Sequence, residues 1–341
     1  FGCPAEEGGS GKTFMARAGS FDDVDLALTW HPATINGIWG FSTLANIQVS
    51  FQFKGKSSHA AASPHLGRSA LDAVELMNVG MNYLREHIVP NAKVHYAVTN
   101  TGGESPNVVQ SDAEVIQLIR APRVDQAIDI LERVKKIAKG AALMTETNVE
   151  MIFDKAVSNY IPNDTLNELL SASMIDLGAP SFTEEEQQLA KEYQETLTKQ
   201  ELLSANQGIP GIEFALQKPL SDINIPYFKT SQVLPGSTDV GDVSWITPTA
   251  QCVVSTAAVG TPLHTWQMVA QGKTSYAHKG MLHVAKILSL TAIKAIKDET
   301  IIDKAKQELA EIIGDTGYIC PIPDEVEPNQ KVEHPEIIHK H

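Results

Sequence analysis

The sequence predicts an α/β protein interrupted by an inserted α+β module of ferredoxin-like order. Two observations carry that prediction. The apolar run "DLALTWH" at 25–31 stops at a histidine followed by Pro32, as a buried strand of an α/β sheet does. Farther on, 46–157 reads β-α-β-β-α-β, the order of a unit with both helices on one face of an antiparallel sheet.

The elements follow in order. Residues 13–18 have helix-forming composition. Ile47, Val49, Phe51 and Phe53 alternate with Gln48, Ser50, Gln52 and Lys54, the period of a half-exposed strand. A helical pattern covers 68–88, then come the strand "KVHYAVTN", a Gly102–Gly103 turn and strands near 107–110 and 113–119. A helix over 124–144 and the strand "NVEMIFDKA" close the module. Such a unit is self-contained, so the chain divides into 1–45, an insertion at 46–157, and 158–341. Beyond it, helices are expected at 165–177 and 184–203, the latter mostly polar and read as a surface embellishment. Residues 205–235 carry little signal. A loop "PGSTDVGDVSW", a strand "QCVVSTAAVG", the segment "TPLHTW" and an amphipathic helix at 276–296 follow, before a Pro-, Glu- and His-rich tail.

Composition narrows the function. The chain has 341 residues, 43% of them hydrophobic, enough for two folded domains. A formal charge of −14 leaves no basic field for a nucleic-acid backbone or an anionic membrane. Cys3, Cys252 and Cys320 lie far apart without metal-finger spacing, which points to a reducing, cytoplasmic setting. The stretch "MLHVAKILSLTAIKAI" is broken by His283, Lys286 and Lys294, so it reads as an amphipathic helix and not a membrane span. The chain opens at Phe1 without a methionine and runs at once into a functional-looking motif, so an upstream part is expected.

That motif, "FGCPAEEGGSGKTF", holds two signatures. Gly11, Lys12 and Thr13 match the second half of a phosphate-binding loop, but the first glycine would fall where Glu6 stands, and a carboxylate repels phosphate. The other signature is the pair Glu6 and Glu7. In an extended segment adjacent side chains point to opposite sides, so one carboxylate can bind a metal while its neighbour serves as general base. A solvated acidic pair at a helix start is the bland alternative.

Six motifs then resemble one family in order: "CPAEEGG", "LTWHPA", "SSHAAASPHLGRSALDAV", "NVVQ…IRAP", "STDVGD" and "GTPLHTW". They are similar to the aminoacylase/carboxypeptidase-type metallopeptidases, in their amidohydrolase branch. The resemblance implies a metallopeptidase-type catalytic α/β domain, here N-terminally incomplete, with an inserted ferredoxin-like dimerisation or lid domain. It implies two divalent metal ions, Mn²⁺ or Zn²⁺, and pairing through the lid with a related A-type subunit or with a second copy in a homodimer. By the same resemblance Glu6 is the general base, Glu7 and His264 are ligands of one ion, and His31 is a ligand of the other. His59 would polarise the scissile carbonyl across the dimer, and Asn107 and Arg120 would hold the substrate's carboxylate. His65, His278 and His283 stay structural, Ser237 and Asp239 shape a loop at the rim, and Cys3 is a packed thiol. The family's remaining ligands would precede Phe1, so this chain alone is expected to bind metal weakly and hydrolyse little.

The implied reaction is metal-dependent amide hydrolysis of p-aminobenzoyl-glutamate, a folate breakdown product. An N-acyl-amino-acid hydrolase or dipeptidase of the same mechanism stands beside it. A non-catalytic partner that only lends His59, Asn107 and Arg120 would need none of Glu6, Glu7, His31 and His264.

Overall fold

The computed structural model describes residues 1–204 and 215–328. The expected tail beyond 328 and part of the weakly patterned 205–235 stretch lie outside the described residues. The chain begins with helix α1 (Gly11–Arg17), strand β1 (Ala27–Ala33) and the short strands β2 (Gly37–Ile38) and β3 (Ser42–Thr43). Next come β4 (Ala45–Lys54), α2 (Ala70–Leu84), β5 (Lys93–Asn100), β6 (Asp112–Ala121), α3 (Val124–Thr145) and β7 (Asn148–Val157). Three helices and a short strand follow, α4 (Asp164–Leu177), α5 (Glu184–Glu195), α6 (Lys199–Ser204) and β8 (Val233–Leu234). The chain closes with α7 (Val240–Ser244), β9 (Thr249–Ser255), α8 (Trp266–Gln271), α9 (Ser275–Lys297) and α10 (Glu299–Ile313).

Two larger sheets organise these elements, beside a two-stranded pairing of β3 with β8. Strands β4 to β7 form an antiparallel sheet in the order β5-β6-β4-β7, the ferredoxin-like arrangement expected from the period-2 and period-3.6 patterns. Ile47, Val49, Phe51 and Phe53 point inward from β4 and pack with Val74, Met77 and Met81 of α2 and Ile130, Val134 and Ala138 of α3. Each such buried Phe, Ile or Met contributes about 1.5–3 kcal/mol. The second sheet has the order β1-β9-β2, with β1 and β9 parallel. Ala250, Cys252 and Val254 of β9 face Leu166 and Leu170 of α4, Val284 and Ile287 of α9 and Ala305 of α10. The opposite face of that sheet carries His31 and Val253 in register, and it is this face that bounds the site.

The structure corrects several expectations. β1 does not stop at His31 but runs on to Ala33, and it is half-buried. Among the described residues β1 pairs with β9 alone, and an edge strand tolerates Pro32 because its missing N–H breaks no ladder. Residues 107–110 form no strand: Asn107 and Val109 bond to the 58–60 loop through Ala60 N–H to Asn107 O at 2.9 Å and Val109 N–H to Ser58 O at 3.0 Å. The expected single helix at 184–203 is two, α5 and α6, interrupted after Glu195. Nor is α5 purely a surface element, since Ala190 is fully buried and Glu186 accepts from Ser275 Oγ and Lys279 Nζ of α9, each at 2.7 Å. Helix α10 has no counterpart among the elements expected from sequence.

The two sheets meet where α7 crosses the end of β7. A Cβ on Gly241 would stand 2.0 Å from Ser158 O, so the backbones approach as only glycine permits. Gly241→Ala is therefore expected to cost about 1–3 kcal/mol in urea unfolding, because backbone and not a flexible side chain must give way.

Candidate active site

The Glu6–Glu7 segment is a tight turn, not the extended stretch expected from sequence. Gly9 N–H donates to Ala5 O at 2.8 Å, and Ala5 and Ser10 adopt left-handed backbone with φ of 57° and 50°. Gly11 closes the turn: a Cβ there would lie 1.9 Å from Pro4 O.

A tripeptide distant in sequence holds this turn in place. Asp239, its side chain wholly buried, accepts from Lys12 N–H at 2.9 Å and from Lys12 Nζ at 2.8 Å, thereby capping α1. Burial raises the Asp239 carboxyl above its ordinary value, opposed by those Lys12 contacts. Lys12 is thus engaged by a carboxylate at the spot a phosphate would need, which removes the phosphate-loop reading of this motif. Thr238 Oγ donates to Glu6 Oε1 at 3.0 Å. Ser237 Oγ accepts from Arg120 Nη1 at 2.9 Å, and Pro235 O accepts from the same nitrogen at 3.3 Å.

The end of β1 meets the turn from the other side. His31 Nε2 stands 3.8 Å from Glu6 Oε1. This histidine holds the Glu6 carboxyl below the usual carboxylate range, with Thr238 assisting against the opposing effect of partial burial. Glu6 is therefore ionised at neutral pH, as a general base must be. Trp39 packs on the His31 ring with centroids 5.2 Å apart, and His31 Nδ1 is buried without a partner among the described residues.

Glu6, Glu7, His31 and His264 line one cavity of about 1560 Å³. His264 and Glu7 are both exposed at its wall. His264 has φ of 58°, a costly conformation for a side-chain-bearing residue, held just before Thr265, whose hydroxyl caps α8. Imidazole and carboxylate donors suit Zn²⁺ or Mn²⁺, and the orphaned ring nitrogen of His31 belongs to the same donor class, so the residues fit a divalent ion in kind. In number they fall short: among the described residues no three of His, Cys, Asp or Glu converge closely enough to hold an ion.

The remaining predicted residues separate into two places. Arg120, on β6, reaches the cavity rim through Ser237, which lines the cavity. His59 and Asn107 lie together on exposed loops, joined by the His59–Val108 bridge and the Ala60–Asn107 hydrogen bond, and neither lines this chain's cavity. His59 Nδ1 accepts from Ala61 N–H and Ala62 N–H, both at 3.2 Å, which leaves the proton on Nε2. His283 bonds Gly178 O at 3.0 Å, and His65 is exposed. Cys3 is half-buried with a free thiol. What sequence reasoning misses here is the set of partners of the 237–239 segment. "STDVGD" stands out as a motif, but which side chain each residue meets is not readable from it.

No protein-family model matches the chain. It is 53% identical over 338 residues to the B-type subunit of p-aminobenzoyl-glutamate hydrolase from Escherichia coli (strain K12), covering 96% of this chain and 70% of that relative. The chain belongs to that family. Among solved structures, the aminobenzoyl-glutamate utilization protein of Klebsiella pneumoniae superposes with a TM-score of 0.53 at 20% identity, over 83% of this chain and 60% of that one. A dinuclear metal-binding peptidase of the M20 family from Bacillus subtilis superposes with a TM-score of 0.51 at 14% identity, over 86% and 64%. At these identities the two structures show a shared fold, a mixed α/β architecture. Within the family the chain spans about seven tenths of the length of its Escherichia coli relative. No helix among the described residues is long and apolar enough to cross a membrane.

Proposed function

We propose that the protein hydrolyses the amide bond of p-aminobenzoyl-glutamate, giving p-aminobenzoate and glutamate. The observation that carries this reading is Glu6, ionised and held by Thr238 and His31 at the wall of a cavity shared with Glu7 and His264. Family membership supports it, since the Escherichia coli relative bears that activity in its name.

An amide resists water, so three things are needed: a base, a polarised carbonyl and a place for the leaving amine. Glu6 takes a proton from the attacking water and delivers it to the glutamate nitrogen as the C–N bond breaks. Glu7 and His264 would hold one divalent ion and His31 the other, Mn²⁺ or Zn²⁺. When bound, such ions lower the pKa of water to about 7 and polarise the carbonyl. Arg120, half-buried and without a carboxylate partner among the described residues, is suited to grip a glutamate carboxylate through two parallel hydrogen bonds.

Residues 46–157 would act as an inserted lid and pairing domain between 1–45 and 158–341. His59 and Asn107 lie outside their own chain's cavity, which supports a role in the cavity of a paired molecule. His59, with a proton on Nε2, is equipped to donate to a carbonyl oxygen there, and Asn107 to bind the substrate's carboxylate beside it. The pairing partner is a related A-type subunit, with a second copy of this chain as the alternative. The free thiols of Cys3, Cys252 and Cys320 support a cytoplasmic location.

The test is glutamate release, with and without Mn²⁺, by the protein at its full natural length, using p-aminobenzoyl-glutamate beside an acetyl-amino acid and a dipeptide. Metal-dependent release favouring the aroyl substrate is expected. Preference for the dipeptide would move the assignment to a dipeptidase, and no hydrolysis of any of them by metal-loaded protein would overturn it.

A further inference from the structure

The 237–239 segment uses three consecutive side chains on three different partners. Ser237 receives Arg120, Thr238 gives its proton to Glu6, and Asp239 receives Lys12. Thr238 is 6% exposed, and its hydroxyl oxygen also accepts from Val240 N–H at 3.4 Å. A hydroxyl has one proton to donate, and here it goes to Glu6 Oε1. The same carboxylate oxygen is the one facing His31 Nε2. Oε1 is thereby committed, and Oε2 has no hydrogen bond among the described residues.

We propose that Thr238 is the positioning residue of Glu6: by anchoring Oε1 it fixes the carboxylate rotamer and leaves Oε2 as the oxygen that takes the proton. The proposal rests on Glu6 being the general base. A Glu side chain in a turn has three rotatable bonds and loses rotamer freedom only where something holds its end. The Glu6 backbone sits in a turn that fixes the Cα but not the carboxylate, and the hydroxyl that anchors the carboxylate comes from the other half of the chain, 232 residues away in sequence. Thr238 itself is placed by its neighbours. Asp239 is pinned to the N-terminus of α1 by two bonds to Lys12, which ties the anchor's segment to the helix that follows the base-bearing turn. Ser237 ties the same segment to Arg120, so the group read as the carboxylate clamp and the base are held by adjacent residues of one loop.

The experiment compares Thr238→Val, Thr238→Ala and Thr238→Ser with Glu6→Gln, in kcat and KM for p-aminobenzoyl-glutamate, alongside a crystal structure of the Val variant. Val keeps the side chain's shape and removes the donor. The expected result is a fall in kcat of about 10-fold to 100-fold for Val and Ala with KM little changed, and recovery to within about threefold for Ser. In the crystal, the Glu6 carboxylate should leave its position 3.8 Å from His31 Nε2. Combining Thr238→Val with Glu6→Gln should cost no more than Glu6→Gln alone, since an anchor has nothing to act on once the base is gone. If the Val variant folds and keeps wild-type kcat while Glu6→Gln is inactive, the positioning role is overturned and the base stands. If Glu6→Gln keeps its turnover, the reading of Glu6 fails and takes the positioning role with it. A Val variant whose Glu6 has not moved overturns the proposal whatever the rates.

Discussion

Glu6→Gln is expected to lower turnover by roughly 10²–10⁴-fold while leaving metal content and fold intact. The two side chains have the same shape, so the amide can keep the hydrogen bond from Thr238 and the place beside His31. What it cannot do is accept a proton from water near neutral pH. Glu7→Gln should behave differently. Glu7 is exposed at the cavity wall and is read as a ligand, so its loss should deplete bound metal before it affects proton transfer. Metal analysis of both variants beside their kcat values separates the roles. Two variants that lose metal and activity to the same extent would contradict the division of labour between adjacent carboxylates.

Replacing Asp242 by Ala is expected to cost about 3 kcal/mol of stability at pH 5, the largest effect predicted outside the cavity. Asp242 is fully buried and gathers three distant segments. It accepts from Thr13 Oγ of α1 at 2.7 Å, from Ser158 N–H and Oγ at the end of β7 at 3.1 and 2.7 Å, and from Tyr318 OH at 2.9 Å. Removing the carboxyl leaves a buried amide donor unsatisfied where the two sheets join. Burial pushes the Asp242 carboxyl up to about 6, against the pull of those donors. Its folded value therefore lies above its unfolded one, and the folded protein binds this proton more tightly. The stability it contributes is full below the ordinary carboxylate range and is lost as pH rises through about 6. The share of wild-type stability that Asp242 contributes should accordingly fall as pH rises from the ordinary carboxylate range through about 6, and Asp242→Ala should remove that fall. Urea unfolding across this range reads both effects. A slope unchanged in the variant would contradict the assignment of the pH dependence to Asp242.

Local pattern carried much of the fold. The strict alternation from Ile47 to Lys54 appears in the structure as a strand with one face buried on α2 and α3, because a period of two has one way to bury its apolar set. The misread places share a cause, namely that tertiary contacts outweighed local signal. Pro32 looks like a terminator, but an edge strand has no ladder bond for it to break. Val108 and Val109 look like a strand, but the 58–60 loop captures their backbone. Helix α10 is started by Asp298, whose side chain accepts from Thr300 N–H, a cap that the preceding long helix masks in sequence.

The site is legible in residue types and not in contacts. The Glu6–Glu7 pair stands out in the motif itself, the roles of His31 and His264 came from the resemblance, and all four line one cavity. The bonds that place them do not belong to any short motif: Lys12 meets Asp239 across 227 positions, and Thr238 meets Glu6 across 232. Lys12 illustrates the limit well. Read locally it belongs to half a phosphate loop, and only the folded chain brings it to Asp239. The turn at 5–9 is a second case, since an extended Glu-Glu pair and a turned one have the same sequence, and the left-handed Ala5 carries no glycine to announce it.

The measurement that bears most directly on the central claim is anomalous diffraction from crystals of the protein at its full natural length grown with Mn²⁺ or Zn²⁺. Ion density against Glu7, His31 and His264, with Glu6 beside it but not needed for its retention in the Glu6→Gln crystal, is the predicted result. Ions bound elsewhere, or a cavity that stays empty in an enzyme releasing glutamate, would contradict the account.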